Sequence, residues 1–222
     1  VGEGKNMRKA VIFLFVIVVL TSLTGCGTFQ KAQRADELQI EVDELYAKID
    51  QLKKEKESEI SGLQKAQIEL QKKLKDELNQ YKAKLEMTSR GLVVTFLAEV
   101  FFNSGKDEIR KEAEPTLAKI AEVLNKNVPK HFVVIEGHTD NEPIKHSGWK
   151  SNWELASARA LAVLHYFVDA ANIKPERLSA TSYGEFRPVV DNDTAGSKQN
   201  NRRVEIVILS PETKIIKKKA NP

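Results

Sequence analysis

"HFVVIEGHTDNEPI", residues His131 to Ile144, decides how the chain is to be read. His131 to Thr139 is a short, largely apolar run of the length and composition of a buried strand. At its end His138 and Asp140 stand two positions apart, where strand gives way to loop. Residues two apart on a strand point the same way only while the strand lasts, and Asp140 already opens the loop. Three chemistries use such a pair: a metal site, half of a catalytic dyad, or a hold on a charged ligand.

Elements of alternating type lie on both sides of this strand. Upstream, "GLVVTFLAEVFF" (Gly91–Phe102) is β-branched and aromatic and reads as strand. From about Ile109 to Asn127 the spacing predicts a helix with Leu117, Ile120, Ala121 and Leu124 on one face, and Pro115 is tolerated in an early turn. Downstream, Asn152–Ala171 reads as a second helix that turns Leu155, Leu161, Ala162, Leu164 and Val168 to a sheet. Two further strands, Leu178–Tyr183 and Arg203–Leu209, flank a polar loop, Gly184–Asn201. Strands alternating with helices predict an α/β fold of βαβαβ type, a two-layer sandwich with helices on one sheet.

The pair at the strand end can now be weighed. A metal site at His138 and Asp140, with His146 nearby, needs three or four ligands and their supporting partners, and no further cluster accompanies them in sequence. A hydrolase could use Asp140 as base and Ser147 or Ser151 as nucleophile, yet no G-x-S-x-G elbow is present. The residues therefore point away from an enzyme, a metal or a cofactor. The third chemistry has better support. Asn152 and Arg159 are two helical turns apart and share a face. If the Asp140 loop folds over the start of that helix, Asp140 and Arg159 flank one pocket, with helix N-terminal amides beside it. Such a pair suits a zwitterion, with the carboxylate for an ammonium and the guanidinium fork for a carboxylate. A plain Asp140–Arg159 salt bridge is the alternative that stays open.

The chain has 222 residues, enough for one or two domains. All seven prolines lie at or beyond Pro115, and Gly62 is the only glycine between residues 30 and 88. Apolar residues there recur in steps of three and four at Leu38, Val42, Leu45, Ile49 and Leu52. The rhythm resumes at Ile60, Leu63, Leu70, Leu74, Leu78, Tyr81 and Leu85. Lys56 and Glu59 interrupt the stripe like a stutter. The pattern predicts a helical coiled-coil spacer over residues 30–88, self-associating into a homo-oligomer. At 1.5 Å per residue it would reach on the order of 80 Å.

Ahead of the spacer, Met7-Arg8-Lys9 precedes the unbroken apolar run "AVIFLFVIVVL" (Ala10–Leu20) and then "TSLTGCG". A basic start, an apolar core and small residues before a boundary describe a signal peptide over residues 1–25. The run is short for a membrane span. Val1–Asn6 read as an upstream or alternative start. Leu23-Thr24-Gly25-Cys26 resembles the bacterial lipobox, which implies that Cys26, the sole cysteine, is acylated and that residues 26–29 form the lipidated start of the mature chain. Gly27 in place of an aspartate suggests sorting to the outer membrane, facing the periplasm. Net charge is +4, and without the three basic residues and one acid before residue 25 it is +2. That surplus is no nucleic-acid footprint. The run Lys217–Lys219 reads as part of a basic, solvated tail over residues 211–222.

Four ordered motifs carry a further resemblance: "GHTDNEPI", "SNWELASARA" (Ser151–Ala160), "YGEFRPV" (Tyr183–Val189) and "NRRVEI" (Asn201–Ile206). Together they resemble the OmpA-like peptidoglycan-binding domain over residues 90–210. The long insert between Asp140 and Asn152 is most similar to the version in flagellar MotB proteins. The chain departs from the family pattern at Ala156, Ser182 and Ser197. The resemblance implies a grip on the diaminopimelate of the wall's stem peptide by Asp140 and Arg159, with Asn152 and Thr139 beside them and Asn103, Asn201 and Arg202 further round. It implies a non-enzymatic lipoprotein tethering membrane to wall. Two rivals remain: a MotB-like stator subunit, although Ala10–Gly25 holds no Asp or Glu for an ion path, and a wall hydrolase.

Overall fold

The computed structural model describes residues 3–210 except 81 and 146, with side chains from residue 33 onward. The side chains of the leader and Cys26, the tail 211–222, Tyr81 and His146 lie outside the described residues. The chain divides into two units, Val1–Glu55 and Lys56–Pro222.

Helix α1 (Glu3–Lys73) runs through the first unit and into the second. In the first unit the apolar stripe is open: Leu38, Val42, Leu45, Ile49 and Leu52 are all exposed. Side-chain pairs at i,i+4 spacing, Gln39 to Asp43 and Lys54 to Asp50, line the polar face and add a few tenths of a kcal/mol each.

In the second unit the same helix behaves differently. Leu63, Ala66 and Leu70, with Leu74 just past the helix end, are buried to 3% exposure or less, inside the hydrophobic core. Lys73 meets Glu122 at 2.8 Å, and a Cβ on Gly62 would stand only 3.3 Å from the Asn127 carbonyl oxygen. The expectation of a coiled coil to residue 88 is therefore corrected. The stripe past Leu63 packs on its own domain, and the helix stops at Lys73. After α2 (Lys75–Asn79) the chain becomes strand β1 (Ala83–Thr88), paired antiparallel with β2 (Gly91–Leu97). In β1, Ala83 and Leu85 pack against the core while Lys84 and Glu86 point away. That alternation is short enough to pass for helical spacing. A two-residue turn closes the hairpin, with Thr88 Oγ1 donating to the Gly91 carbonyl at 3.1 Å. Gly91 has φ +132°, and a Cβ there would lie 2.0 Å from the Ile208 carbonyl oxygen, so only glycine fits.

From β2 the chain passes through α3 (Ala98–Phe101), a 3-10 turn (Lys111–Ala113) and α4 (Glu114–Lys126). There follow β3 (Val133–His138), α5 (Asn152–Asp169), β4 (Leu178–Gly184), α6 (Ala195–Asn201) and β5 (Arg203–Leu209). The sheet order is β1-β2-β5-β3-β4, with only β3 and β4 parallel, joined through α5. This is the expected two-layer α/β sandwich, with one additional edge strand, β1. One sheet face supplies Leu92, Val94, Phe96, Val133, Ile135, Val204, Ile206 and Ile208 to the core. The core face of α5 is rotated from its expected position. Ala156, Ala160, Val163 and Phe167 are fully buried, whereas Leu161 is exposed. Small residues let this helix approach closely: a Cβ on Gly137 would fall 2.0 Å from the Ala156 carbonyl oxygen.

The polar loop expected over Gly184–Asn201 contains α6, capped by Thr194 Oγ1 accepting from Ser197 N. Arg177 closes the end of α4, donating to the carbonyls of Leu124, Val128 and His131 from a buried position. A cation there satisfies the last carbonyls and the helix dipole together.

Candidate functional site

At one end of the sheet an open cleft of about 670 Å³ lies between the Asn103–Lys106 loop, the end of β3 with its insert, the start of α5, and Arg202. Thr139, Asp140, Asn152, Arg159, Asn103 and Arg202 all line it.

Each side chain is positioned by identifiable contacts. Thr139 continues the β3–β4 ladder by donating its N–H to the Gly184 carbonyl, and its hydroxyl donates to the Asp140 carbonyl at 2.8 Å. Asp140 is 6% exposed. One of its oxygens accepts from Arg202 at 2.6 Å and the other from the Glu142 N–H at 3.2 Å. Asn152 opens α5 behind the N-cap Ser151, whose Oγ accepts from Glu154 N. Its amide donates to the Glu142 carbonyl at 3.0 Å and to Glu185 at 2.5 Å. The insert is fastened twice, by Lys198 donating to Glu142 and by Trp149 Nε1 donating to the Gly105 carbonyl at 2.9 Å.

Arg159 sits two turns along α5 from Asn152 and is 4% exposed. Its Nε donates to the Lys106 carbonyl at 2.9 Å, Nη2 reaches the Asn103 carbonyl at 3.3 Å, and the guanidinium lies 5.3 Å over the Phe102 ring. Burial, and then the charge of Arg202, push this guanidinium down to about 10. It stays protonated near neutral pH, and an anionic partner would relieve it. Asp140 ion-pairs with Arg202 and not with Arg159, so the plain Asp140–Arg159 bridge left open by the sequence is not what forms. Sequence reasoning missed Phe102, Glu142, Glu185 and Lys106 as supporting residues. Tertiary placement brings Phe102 and Lys106 to the cleft and Glu185 to Asn152, while Glu142 lies in the same loop as Asp140.

Asn201 lies elsewhere. Fully buried, it accepts from the N–H groups of Val189 and Val190 and donates to the Val190 carbonyl and to Asn192, which fastens the loop after β4. Ser151, a nucleophile candidate in sequence, is occupied as a helix cap.

His138 turns away from the cleft to the opposite face of the sheet, where it stacks on Tyr183 with centroids 5.2 Å apart. Burial first, and then the Arg203 guanidinium, push its imidazole down to about 3. Among the described residues Glu136, His138 and Glu205 form a group with ligating atoms within 4.8 Å of one another. This corrects the expectation that no further cluster accompanies His138. The carboxylates are engaged, however: Arg90 donates to both oxygens of Glu136 at 2.8 Å and to Glu205 at 3.0 Å, and Arg203 donates to Glu205 at 2.7 Å. A divalent cation would have to displace Arg90.

Residues 101–202 match the OmpA family model. The chain is 39% identical to Motility protein B of Bacillus subtilis over 147 residues, covering 66% of this chain and 56% of that protein. It thus spans just over half of that relative's length. It is 32% identical over 231 residues to an uncharacterized Bacillus subtilis protein, YtxE, covering 96% of this chain and 94% of the relative. Among solved structures, the cell wall anchor of the T6SS from Pseudomonas aeruginosa superposes with a TM-score of 0.58 at 32% identity, covering 64% of this chain and 96% of that one. Motifs, sheet and comparisons agree that residues 101–202 form an OmpA-family domain.

Proposed function

We propose that the protein is a non-enzymatic anchor that binds peptidoglycan through the cleft between Asp140 and Arg159, gripping the diaminopimelate of the stem peptide. One observation carries this reading: Arg159 is a buried cation at the cleft whose hydrogen bonds go to carbonyls, while the cleft carboxylate Asp140 pairs with Arg202 instead. An incoming carboxylate gains two parallel N–H···O bonds in a poorly hydrated place. Asp140 uses two of its roughly four acceptor positions, which leaves room for an ammonium. The ends of diaminopimelate supply one group of each sign.

The anchoring half of the proposal rests on sequence. Cys26 would carry lipid and sort the chain to the outer membrane, facing the periplasm, with α1 holding wall and membrane apart. The exposed stripe Leu38–Leu52 supports self-association of that spacer. A second reading, a subunit of a motility stator, is favoured by the 39% identity to Motility protein B. Mass spectrometry of membrane-extracted protein separates the two, because a mature chain starting at acylated Cys26 belongs only to the first.

The wall-binding half is tested by co-sedimentation of the full chain with purified sacculi. Binding should be competed by free diaminopimelate and lost in Asp140→Ala. Sacculus binding that ignores both would sink the cleft as the site.

A further inference from the structure

Beside the cleft, two aromatic rings stand stacked in solvent. Trp153 on α5 and Phe186 in the loop after β4 have ring centroids 5.4 Å apart and planes 24° from parallel. Trp153 is 46% exposed and Phe186 64%. The pair is held in place. The Trp153 indole lies against Gly184, where a Cβ would come within 3.3 Å of it, and the Trp153 carbonyl accepts from Ser182 Oγ at 3.0 Å.

The platform adjoins the cleft through Asn152. Asn152 and Glu185, the residues preceding the two rings, hydrogen-bond to each other, and Asn152 lines the cleft wall. Consecutive Cα atoms are ~3.8 Å apart, so the rings begin one residue from that wall. In peptidoglycan the stem peptide hangs from a sugar, and three residues span at most ~10 Å. A diaminopimelate gripped in the cleft therefore brings a pyranose ring close to these aromatics. One face of a pyranose is a patch of C–H bonds, which suits the electron-rich face of an aromatic ring, while its hydroxyls need polar neighbours. Glu185 and Asn152 supply such neighbours at the inner edge.

We propose that Trp153 and Phe186 form a platform for a sugar ring of the glycan strand, a second subsite beside the peptide cleft. The proposal rests on the stem-peptide reading of that cleft. The full chain is titrated with three probes: a diaminopimelate-containing disaccharide tripeptide, the same tripeptide freed of sugar, and peptide-free glycan strands. The disaccharide tripeptide should bind about three- to tenfold more tightly than the free tripeptide. Phe186→Ala, and Phe186→Leu as an apolar control without a ring, should erase that difference and leave tripeptide affinity unchanged. Peptide-free glycan should shift the indole N–H resonance of Trp153 and leave that of Trp149 in place. Equal affinity for the two peptides, or a sugar preference that survives both Phe186 substitutions, overturns the platform. If the tripeptide fails to bind while glycan still shifts Trp153, the cleft reading falls and the platform stands. Tripeptide binding with no response of Trp153 to glycan removes the platform alone.

Discussion

Replacing Arg159 with alanine separates holding a ligand from holding the fold. The side chain makes two hydrogen bonds, to the carbonyls of Lys106 and Asn103, and covers the Phe102 ring. Bonds from a charged donor are worth ~1.5–3 kcal/mol each. Against them stand the burial of the cation and repulsion from Arg202, both of which already push its pKa down. The net loss of stability should be about 1–3 kcal/mol, or about 3–10 °C in the melt of a domain this size. Loss of ligand affinity should be larger. With wall peptide bound, removing the guanidinium leaves a desolvated carboxylate without a partner, at ~2–5 kcal/mol, about 30- to several-thousand-fold in Kd. Arg159→Lys keeps the charge without the planar fork and should still lose about tenfold or more. The assays are sacculus co-sedimentation and calorimetry with diaminopimelate tripeptide, at a temperature where circular dichroism finds each variant folded. If folded Arg159→Ala binds within about twofold of wild type, Arg159 is a structural clasp and the cleft reading is wrong.

Four further outcomes follow from the geometry. Leu70→Ala should cost the folded domain about 2–5 kcal/mol in denaturant titration, because Leu70 is fully buried. Leu45→Ala, on the exposed stripe, should leave that domain transition in place and weaken self-association in sedimentation. Asn201→Ala should destabilise by about 2–4 kcal/mol by stripping partners from the Val189–Asn192 loop, with tripeptide affinity retained once folded. His138 is neutral in the fold, with its pKa lowered to about 3, while the unfolded chain protonates near 6.5. The unfolded state therefore binds the extra proton, so stability is full above about pH 6.5 and falls as pH drops towards 3, by up to ~1.4 kcal/mol per unit. His138→Gln should flatten that slope in pH-dependent melts, and an unchanged slope would assign the acid sensitivity to other groups.

Sequence alone determined the elements whose periodicity is local. β3 and β5 are legible because each is a short, largely apolar run buried on both sides, α5 because its apolar residues recur at helical spacing, and Asn152 and Arg159 share a side of α5 whatever surrounds it. The aspartate at the strand end was legible for the same reason: a carboxylate just past an apolar run must meet solvent, a donor or a ligand. Tertiary structure decided what local pattern leaves degenerate. The stripe Leu38–Leu74 keeps the same steps of three and four on either side of its break at Lys56 and Glu59, yet its first part is exposed and its last part lies in the core, because the latter meets a domain face. β1 is a strand because β2 offers it an edge to pair with, a pairing between segments that the spacing of Leu78 and Leu85 cannot carry. Which arginine faces Asp140 was also beyond the sequence. Arg159 and Arg202 are 43 residues apart in the chain and both line the cleft, and the return of β5 beside β3 brings Arg202 to Asp140 while Arg159 stays clasped to the Asn103–Lys106 loop.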